Sequence, residues 1–422
     1  MKKIVSLLLA TVMTVSLCAC AGAAAPAPAA DAAQTDSASG DAAASEDAAP
    51  AEKLDIKAGF ICLHDENSTY DLNFITGAKQ ACEKLGIEAV IKTNIPEGQE
   101  CYDAACELAD QGCGYIFADS FGHEDYMIEA AKEYPDIQFC HATGTKAHTE
   151  NLANFHNAFA SIYQGRYLSG IAAGMKLNEM IDAGKIKPEE AKIGYVGAFT
   201  YAEVISGYTS YFLGARSVCP TATMEVTFTG SWYDETAEKE GATKLISDGC
   251  VLVSQHADSM GAPTACENAG VPNSSYNGPT DSACPETYIS YCKIDWTPYF
   301  EDSITKAAKK EAIPVDYVGT LETGSVVIDH FGKNVAPGTE EAVEAAKADI
   351  IAGKLHVFDT KTFTVEGKEL TTYMADVDTD ANYEGDHEAI KDGYFNESGD
   401  GMRSAPYFDL QIDGITLLDT AF

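Results

Sequence analysis

Lys57-Ala-Gly-Phe60, Gly77-Ala-Lys79, Asp110-Gln-Gly-Cys113 and Ala118-Asp-Ser-Phe-Gly122 recur, in that order, as Lys192-Ile-Gly-Tyr195, Gly214-Ala-Arg216, Asp248-Gly-Cys250 and Ala257-Asp-Ser-Met-Gly261. Each match lies 135 to 139 positions beyond its partner. Shared order, spacing and chemistry make this one unit of about 65 residues present twice, a period far too long for a solenoid. Two similar half-molecules facing each other enclose a cleft, and clefts between domains are where small ligands bind.

Within each copy, short apolar strands alternate with helices. The first copy predicts strands over 56–63, 88–92 and 115–118 and helices over 73–85, 100–111 and 124–133. The second predicts strands over 192–197, 223–227 and 251–254 and helices over 203–218, 235–247 and 259–269. Such alternation implies parallel sheets covered on both faces, hence an α/β chain of two doubly wound lobes joined by a hinge. A further strand over 138–141 precedes a helix over 163–180 whose Gly165, Gly170, Ala172, Ala173 and Gly174 suit close packing. Crossovers are expected near Asn154 and near 273–278, with a strand over 288–293, a helix over 297–310 returning to lobe one, and a helix over 340–352. The expected division is 54–155 with 275–320 for lobe one and 156–274 with 321–358 for lobe two. The Thr-, Tyr- and Asp-rich remainder, 359–422, reads as a β-rich embellishment.

The N-terminus carries an address. Lys2 and Lys3 precede an apolar run over 4–15 and then Leu17-Cys-Ala-Cys20, the pattern of a secretory signal. The run is too short to span a bilayer. Its ending resembles a bacterial lipobox, with Cys20 the residue to be lipidated; an ordinary cleaved signal is the alternative. Residues 21–53 hold almost no large apolar side chain and read as a flexible tether reaching roughly 30 Å. The expected location is the extracytoplasmic face of the cell membrane, held by the lipid.

The net charge is −37, which excludes nucleic acid as a partner through phosphate repulsion and favours a neutral or cationic ligand. Eleven of the 13 Cys follow Cys20 without CxxC or zinc spacing, so they read as small buried apolar residues and no metal is expected. Cys266, Cys284 and Cys292 lie near enough in sequence to allow one disulfide.

Ligands of parallel α/β sheets gather at the carboxyl ends of strands. Those ends carry His64 to Asp71, Asp119 to Gly122, Ala198 to Glu203, Thr229 to Asp234, Gln255 to Ser259, Asn277 and Lys293 to Trp296. Both Trp residues fall there, and aromatic faces stack on planar ligands while carboxylates and amides bind their edges. The competing reading is that these rings fill the interface between lobes. The enzyme readings are weak. The twin Ala-Asp-Ser-x-Gly segments around Ser120 and Ser259 look like degenerate nucleophile elbows, but their duplication marks scaffold. Asp376-x-Asp378-x-Asp380 starts like a calcium loop yet has Ala381 and His387 where Gly and Glu are required. No Walker A, GxGxxG or HExxH sequence occurs, and no cofactor is expected.

Gly59-Phe-Ile, Ser120-Phe-Gly122, Tyr163-Gln-Gly-Arg-Tyr-Leu-Ser-Gly-Ile-Ala-Ala-Gly174, Lys192-Ile-Gly-Tyr-Val-Gly197, Phe228-Thr-Gly-Ser-Trp-Tyr-Asp234 and Lys293-Ile-Asp295 together resemble the basic membrane protein family. Its members are substrate-binding lipoproteins of ABC importers, and the similarity covers about residues 55–358. The resemblance implies a type I periplasmic-binding-protein fold, a purine nucleobase or nucleoside as ligand, and an ABC permease with its ATPase as partners. It places Tyr70 or Asp71, Phe121 and Gly122 of lobe one at the cleft, against Phe199 and Trp232 of lobe two, with Asp258 in the third loop. Nucleoside binders of the family carry an Asp at the second crossover, where this chain has Asn277; that departure favours a free nucleobase, whose edge an amide can pair. Trp296 completes the expected ligand-binding set. The alternatives are a receptor for a flavin or an autoinducer on the same fold, or a surface serine hydrolase using Ser120 or Ser259.

Overall fold

The computed structural model describes residues 54–375, 387–397 and 403–420. Cys20, the tether and the run from Asp376 to Asp380 lie outside the described residues.

Lobe one is built from β1 (Lys57–Ile61), α1 (Thr69–Leu85), β2 (Glu88–Lys92), α2 (Gln99–Asp110), β3 (Tyr115–Ala118), α3 (Glu124–Glu133), β4 (Gln138–Ala142), α4 (Ala147–Glu150) and β5 (Phe155–Ala160). Lobe two follows with α5 (Ile162–Asp182), β6 (Lys192–Gly197), α6 (Ala202–Val218), β7 (Thr223–Phe228), α7 (Glu235–Ser247), β8 (Leu252–Gln255), α8 (Gly261–Ala269), β9 (Asn273–Tyr276) and β10 (Tyr288–Ile294). The chain then returns to lobe one for α9 (Thr297–Lys309) and β11 (Asp316–Gly319), and to lobe two for β12 (Val326–Val327) and α10 (Thr339–Ile351). The remainder contributes β13 (Met374–Ala375), β14 (His387–Glu388), β15 (Ile390–Lys391), β16 (Tyr394–Phe395) and β17 (Ile415–Leu417).

The first sheet has the order β2-β1-β3-β4-β5-β11, and the second β17-β7-β6-β8-β9-β10-β12. The five repeated strands of each lobe therefore share one order. Within these two sheets all strand pairings are parallel except that of β10 with β12. Buried apolar runs explain the pattern: all four residues of β3 and all six of β5 are buried, as strands covered on both faces must be. In each sheet the strand order reverses between the first and third strands, and the loops leaving those strands part to open a crevice.

The chain changes lobe later than the sequence reading expected. β5, assigned to lobe two, pairs with β4; β10, assigned to lobe one, pairs with β9. The polar residues taken for breaks have other work. The Asn154 amide donates to the carbonyls of Ala131, Tyr134 and Ile137, fixing the turn before β4, and the Asn273 amide donates to Val253 O. The actual passages are at Ser161, at Asp295-Trp296 and between β11 and β12. Cys266, Cys284 and Cys292 are buried free thiols, not a disulfide. The tail forms only short ribbons, but its β17 extends the lobe-two sheet alongside β7.

In lobe two, α5 and α6 cross with their backbones in contact. A Cβ on Gly170 would sit 2.0 Å from the Tyr211 carbonyl oxygen, and one on Gly214 would sit 2.0 Å from that of Tyr167. Only glycine fits, because the obstacle is backbone and cannot swing aside. Gly170→Val and Gly214→Val should each lower stability by about 1–3 kcal/mol or more. Urea unfolding followed by circular dichroism measures this, and near-wild-type midpoints would refute the close crossing.

Candidate functional site

The crevice between the lobes holds about 360 Å³ of space, its open mouth included. The loops at the two switch points build it: Leu63 and His64 follow β1, Ser120 and Phe121 follow β3, Glu203 follows β6, and His256 and Asp258 follow β8. Tyr70 and Asp71 on α1, Thr143 after β4, Trp232 after β7 and Asn277 after β9 complete the lining. The lobes touch across it. The Thr69 amide and hydroxyl both donate to Asp258 O, at 3.1 and 3.2 Å, and the Phe121 and Tyr201 rings lie 5.1 Å apart.

Six of the nine residues expected at the cleft line it: Tyr70, Asp71, Phe121, Trp232, Asp258 and Asn277. Gly122 turns away; its N–H donates to Glu97 Oε1 at 2.8 Å, and a Cβ there would strike the Glu97 side chain. Phe199 supports from behind, edge-on to Trp232 at 5.0 Å and stacked on Tyr201 at 5.1 Å. Trp296 is a correction. It lies in the lobe-one core, 2% exposed and stacked on Phe74 at 4.4 Å. It ends the crossover into α9, whose buried face continues through Tyr299, Phe300 and Ile304, so its ring follows that face inward. His64, Ser120, Thr143, Glu203 and His256 were not in the expected set. All but Thr143 lie in strand-end segments that the sequence marks out, but the pairing of His64 with Asp71 and of His256 with Glu203, at 3.4 Å each, depends on how the loops fold.

The first turn of α1 explains Asp71. Ser68 caps the helix, taking the Asp71 N–H and giving its own hydroxyl to the Asp71 carboxylate at 2.6 Å. The His64 N–H donates to the same carboxylate at 2.7 Å. Burial works to raise this carboxyl, but the hydrogen bonds from His64 and Ser68 outweigh it and hold it below the usual range. Asp119, Asp71 and the Cys62 thiol converge within 4.8 Å of one another. Burial first, then the Asp71 charge, pushes the Asp119 carboxyl well above the usual range. Burial and the charges of Glu238 and Asp71 do the same to Asp258, although the Asn277 amide donates to it at 3.1 Å. Burial also lowers His256, against the pull of Glu203. Burial thus works against the charged forms of Asp119, Asp258 and His256, while hydrogen bonds favour the charged form of Asp71, beside the aromatic rings of the crevice.

Two buried charged residues fix the lobe-two loops. Arg166 of α5 donates to Gln255 O at 3.0 Å with its guanidinium 4.4 Å from the centre of the Tyr276 ring, a cation–π contact that helps hold it in a dry interior. Glu238 accepts the N–H groups of Asp234 at 3.2 Å and of Ser259 at 3.1 Å, joining the Trp232 loop to the Asp258 loop. The twin serines are engaged as scaffold: Ser120 Oγ donates to Glu97 at 2.5 Å, and Ser259 Oγ accepts the Gly261 N–H at 3.0 Å.

A family model described as ABC transporter substrate-binding protein, PnrA-like, matches residues 63–314. A Haloferax volcanii protein named as a putative ABC transporter glucose-binding protein is 34% identical over 254 residues, 60% of this chain and 61% of that protein. The chain thus spans about three-fifths of that relative's length. A Brucella abortus protein named as purine-binding is 28% identical over 323 residues, 75% of this chain and 87% of that one. An ABC transporter solute-binding protein of Aeropyrum pernix K1 shares the fold at 16% identity with a TM-score of 0.61, covering 72% of this chain and 93% of that chain. The family and these neighbours are solute-binding proteins, not enzymes, which removes the hydrolase reading.

Carboxyls raised in the folded state contribute stability that is complete below their ordinary pKa and is lost as pH rises through the folded value; Asp71, lowered, contributes the reverse. Burial raises Glu238 from 4.5 to about 7, so its contribution fades across that window. Thermal midpoints should fall between about pH 4.5 and pH 7, and Glu238→Gln should flatten the fall. A slope that Glu238→Gln leaves unchanged would count against this assignment.

Proposed function

The chain belongs to the PnrA-like family of ABC transporter substrate-binding proteins, and from that premise we propose that it is a lipid-anchored receptor that carries a purine nucleobase or nucleoside to a membrane permease. As a family member it is an extracytoplasmic solute-binding protein. Among the described residues no helix is long and apolar enough to cross a membrane. The purine is the finer reading, and one observation carries it: Tyr70 and Phe121 from one lobe and Trp232 from the other line a narrow slot whose floor is the Asp258–Asn277 pair. Rings on both sides suit a flat heterocycle, and a carboxyl beside an amide offers hydrogen-bonding groups to its edge. The relative named as purine-binding, and a Lactococcus lactis protein named as nucleoside-binding, 22% identical, support the same reading.

A sugar is the competing occupant, since the relative named as glucose-binding is 34% identical and carboxyls beside aromatic rings also suit hydroxylated rings. Ligand exchange needs the lobes to part, breaking the Thr69–Asp258 bonds, and the closed form is the one we expect the permease and its ATPase to engage.

Calorimetry with nucleobases, nucleosides, sugars and amino acids decides the ligand. Purine compounds should bind, and Trp232→Ala should weaken them by about 1–3 kcal/mol, the scale of base–aromatic stacking. Binding should change the emission of Trp232 and leave that of Trp296 unaltered, so Trp232→Phe should abolish the fluorescence response. A sugar that binds tightly while every purine gives no heat would sink the purine reading.

The anchor is tested separately. Leu17-Cys-Ala-Cys20 motivates lipidation at Cys20, so Cys20→Ala should release the protein from membranes. Retention on the membrane with unchanged mass would remove the anchor.

A further inference from the structure

Inside lobe two, between α5, α6 and the second sheet, a full positive charge is buried. Arg166 is 0% exposed. Its Nη2 donates to Gln255 O at 3.0 Å. Its Nε and Nη1 have no hydrogen-bond partner among the described residues. Buried N–H groups are rarely left so, and a buried charge is strongly disfavoured unless an opposite one accompanies it.

The surroundings supply no such charge. The guanidinium lies 4.4 Å from the centre of the Tyr276 ring, 5.2 Å from that of Tyr195 and 5.9 Å from that of Tyr211. These rings offset part of the cost, but each brings only a quadrupole. Cys292 is the other neighbour, and burial pushes its thiol up to about 11 in spite of Arg166, which works against a thiolate there. Glu203 is turned to His256 and the crevice.

Two further donors in the same region are also unspent. The Tyr276 hydroxyl, on the ring nearest the guanidinium, and the Ser254 hydroxyl, beside Tyr211, are buried without a partner. The other two tyrosines of the group are engaged: Tyr211 with Ser274, and Tyr195 with His256 Nδ1 at 3.4 Å. Gln255 Oε1 is an orphaned acceptor, which suits a water at its own position. Two guanidinium N–H groups and two hydroxyls with no acceptor are the donor set of an anion site. Enclosure sets the class. Arg166, Ser254, Tyr276 and Cys292 are at most 2% exposed, so the anion is monoatomic and sheds its water on entry.

We propose that lobe two holds a buried chloride ion on Arg166, with the Tyr276 and Ser254 hydroxyls donating to it. The ion lies behind the crevice and is no part of the solute carried there, so this stands apart from the purine reading. Its role is to fix the guanidinium on Gln255 O, and with it the loop that bears His256 and Asp258.

Thermal unfolding of the full chain tests this. Replacing sodium gluconate with sodium chloride at matched ionic strength, which holds screening constant, should raise the midpoint along a saturating curve. Bromide should do the same. Arg166→Met should abolish the response. Tyr276→Phe removes a single oxygen and should raise the apparent chloride dissociation constant about tenfold, which keeps the test open if Arg166→Met fails to fold. Crystals grown in bromide should show anomalous density within hydrogen-bond reach of the Arg166 guanidinium. Equal midpoints in the two salts, water in place of bromide beside Arg166, or a chloride response that Tyr276→Phe leaves unchanged would overturn the site, and none of these would touch the purine reading.

Discussion

Lobe two hangs on the contact between α5 and α6. Where Gly170 and Gly214 let the two backbones meet, the helices become one rigid block beneath the second sheet. Both ends of the ligand machinery are tied to that block. Arg166, one turn from the start of α5, reaches across to Gln255 O and so sets the loop that bears His256 and Asp258. Glu203 enters the cleft from the first turn of α6. A larger residue at the crossing would displace both at once, because well-packed interiors transmit strain instead of absorbing it.

Desolvation governs the other half of the design. Asp71, Asp119 and Asp258 are all buried, and the charge of Asp71 works against ionisation of the other two. The fold settles the conflict by giving Asp71 the donors: a helix cap, a backbone N–H and an imidazole. Burial pushes the carboxyls of Asp119 and Asp258 well above the usual range. Burial and local hydrogen bonds, not the charge of the whole chain, thus set how readily each of these carboxyls ionises.

Much of this was legible beforehand, and the limits are physical. The twin units were readable because period-two and period-3.6 patterns are local, and both sheets follow from them. The loops that line the cleft were readable because strand ends in such sheets always point one way. The crossovers were not. Asn154 looks like a break and is a clamp on the neighbouring turn, and nothing local distinguishes the two. Trp296 was misplaced for a similar reason: a strand end that leads through a crossover feeds the next helix's buried face, not the cleft. The partnerships of His64 and His256 were beyond reach, since each needs the exact path of a loop. The tail was the least readable, with little periodicity to show that β17 would join the second sheet.

The late strand β17 has a consequence for how the molecule is made. It lies parallel to β7 at the margin of the second sheet, about 190 residues later in the chain than its neighbour. Until 415–417 arrive, β7 presents a row of unpaired amides and carbonyls, the kind of edge on which chains aggregate. Lobe one needs nothing beyond β11 to complete its sheet, so it can fold before about the last 100 residues are in place. Lobe two must wait, with one margin open, and is the part of the molecule most in need of protection while the chain folds.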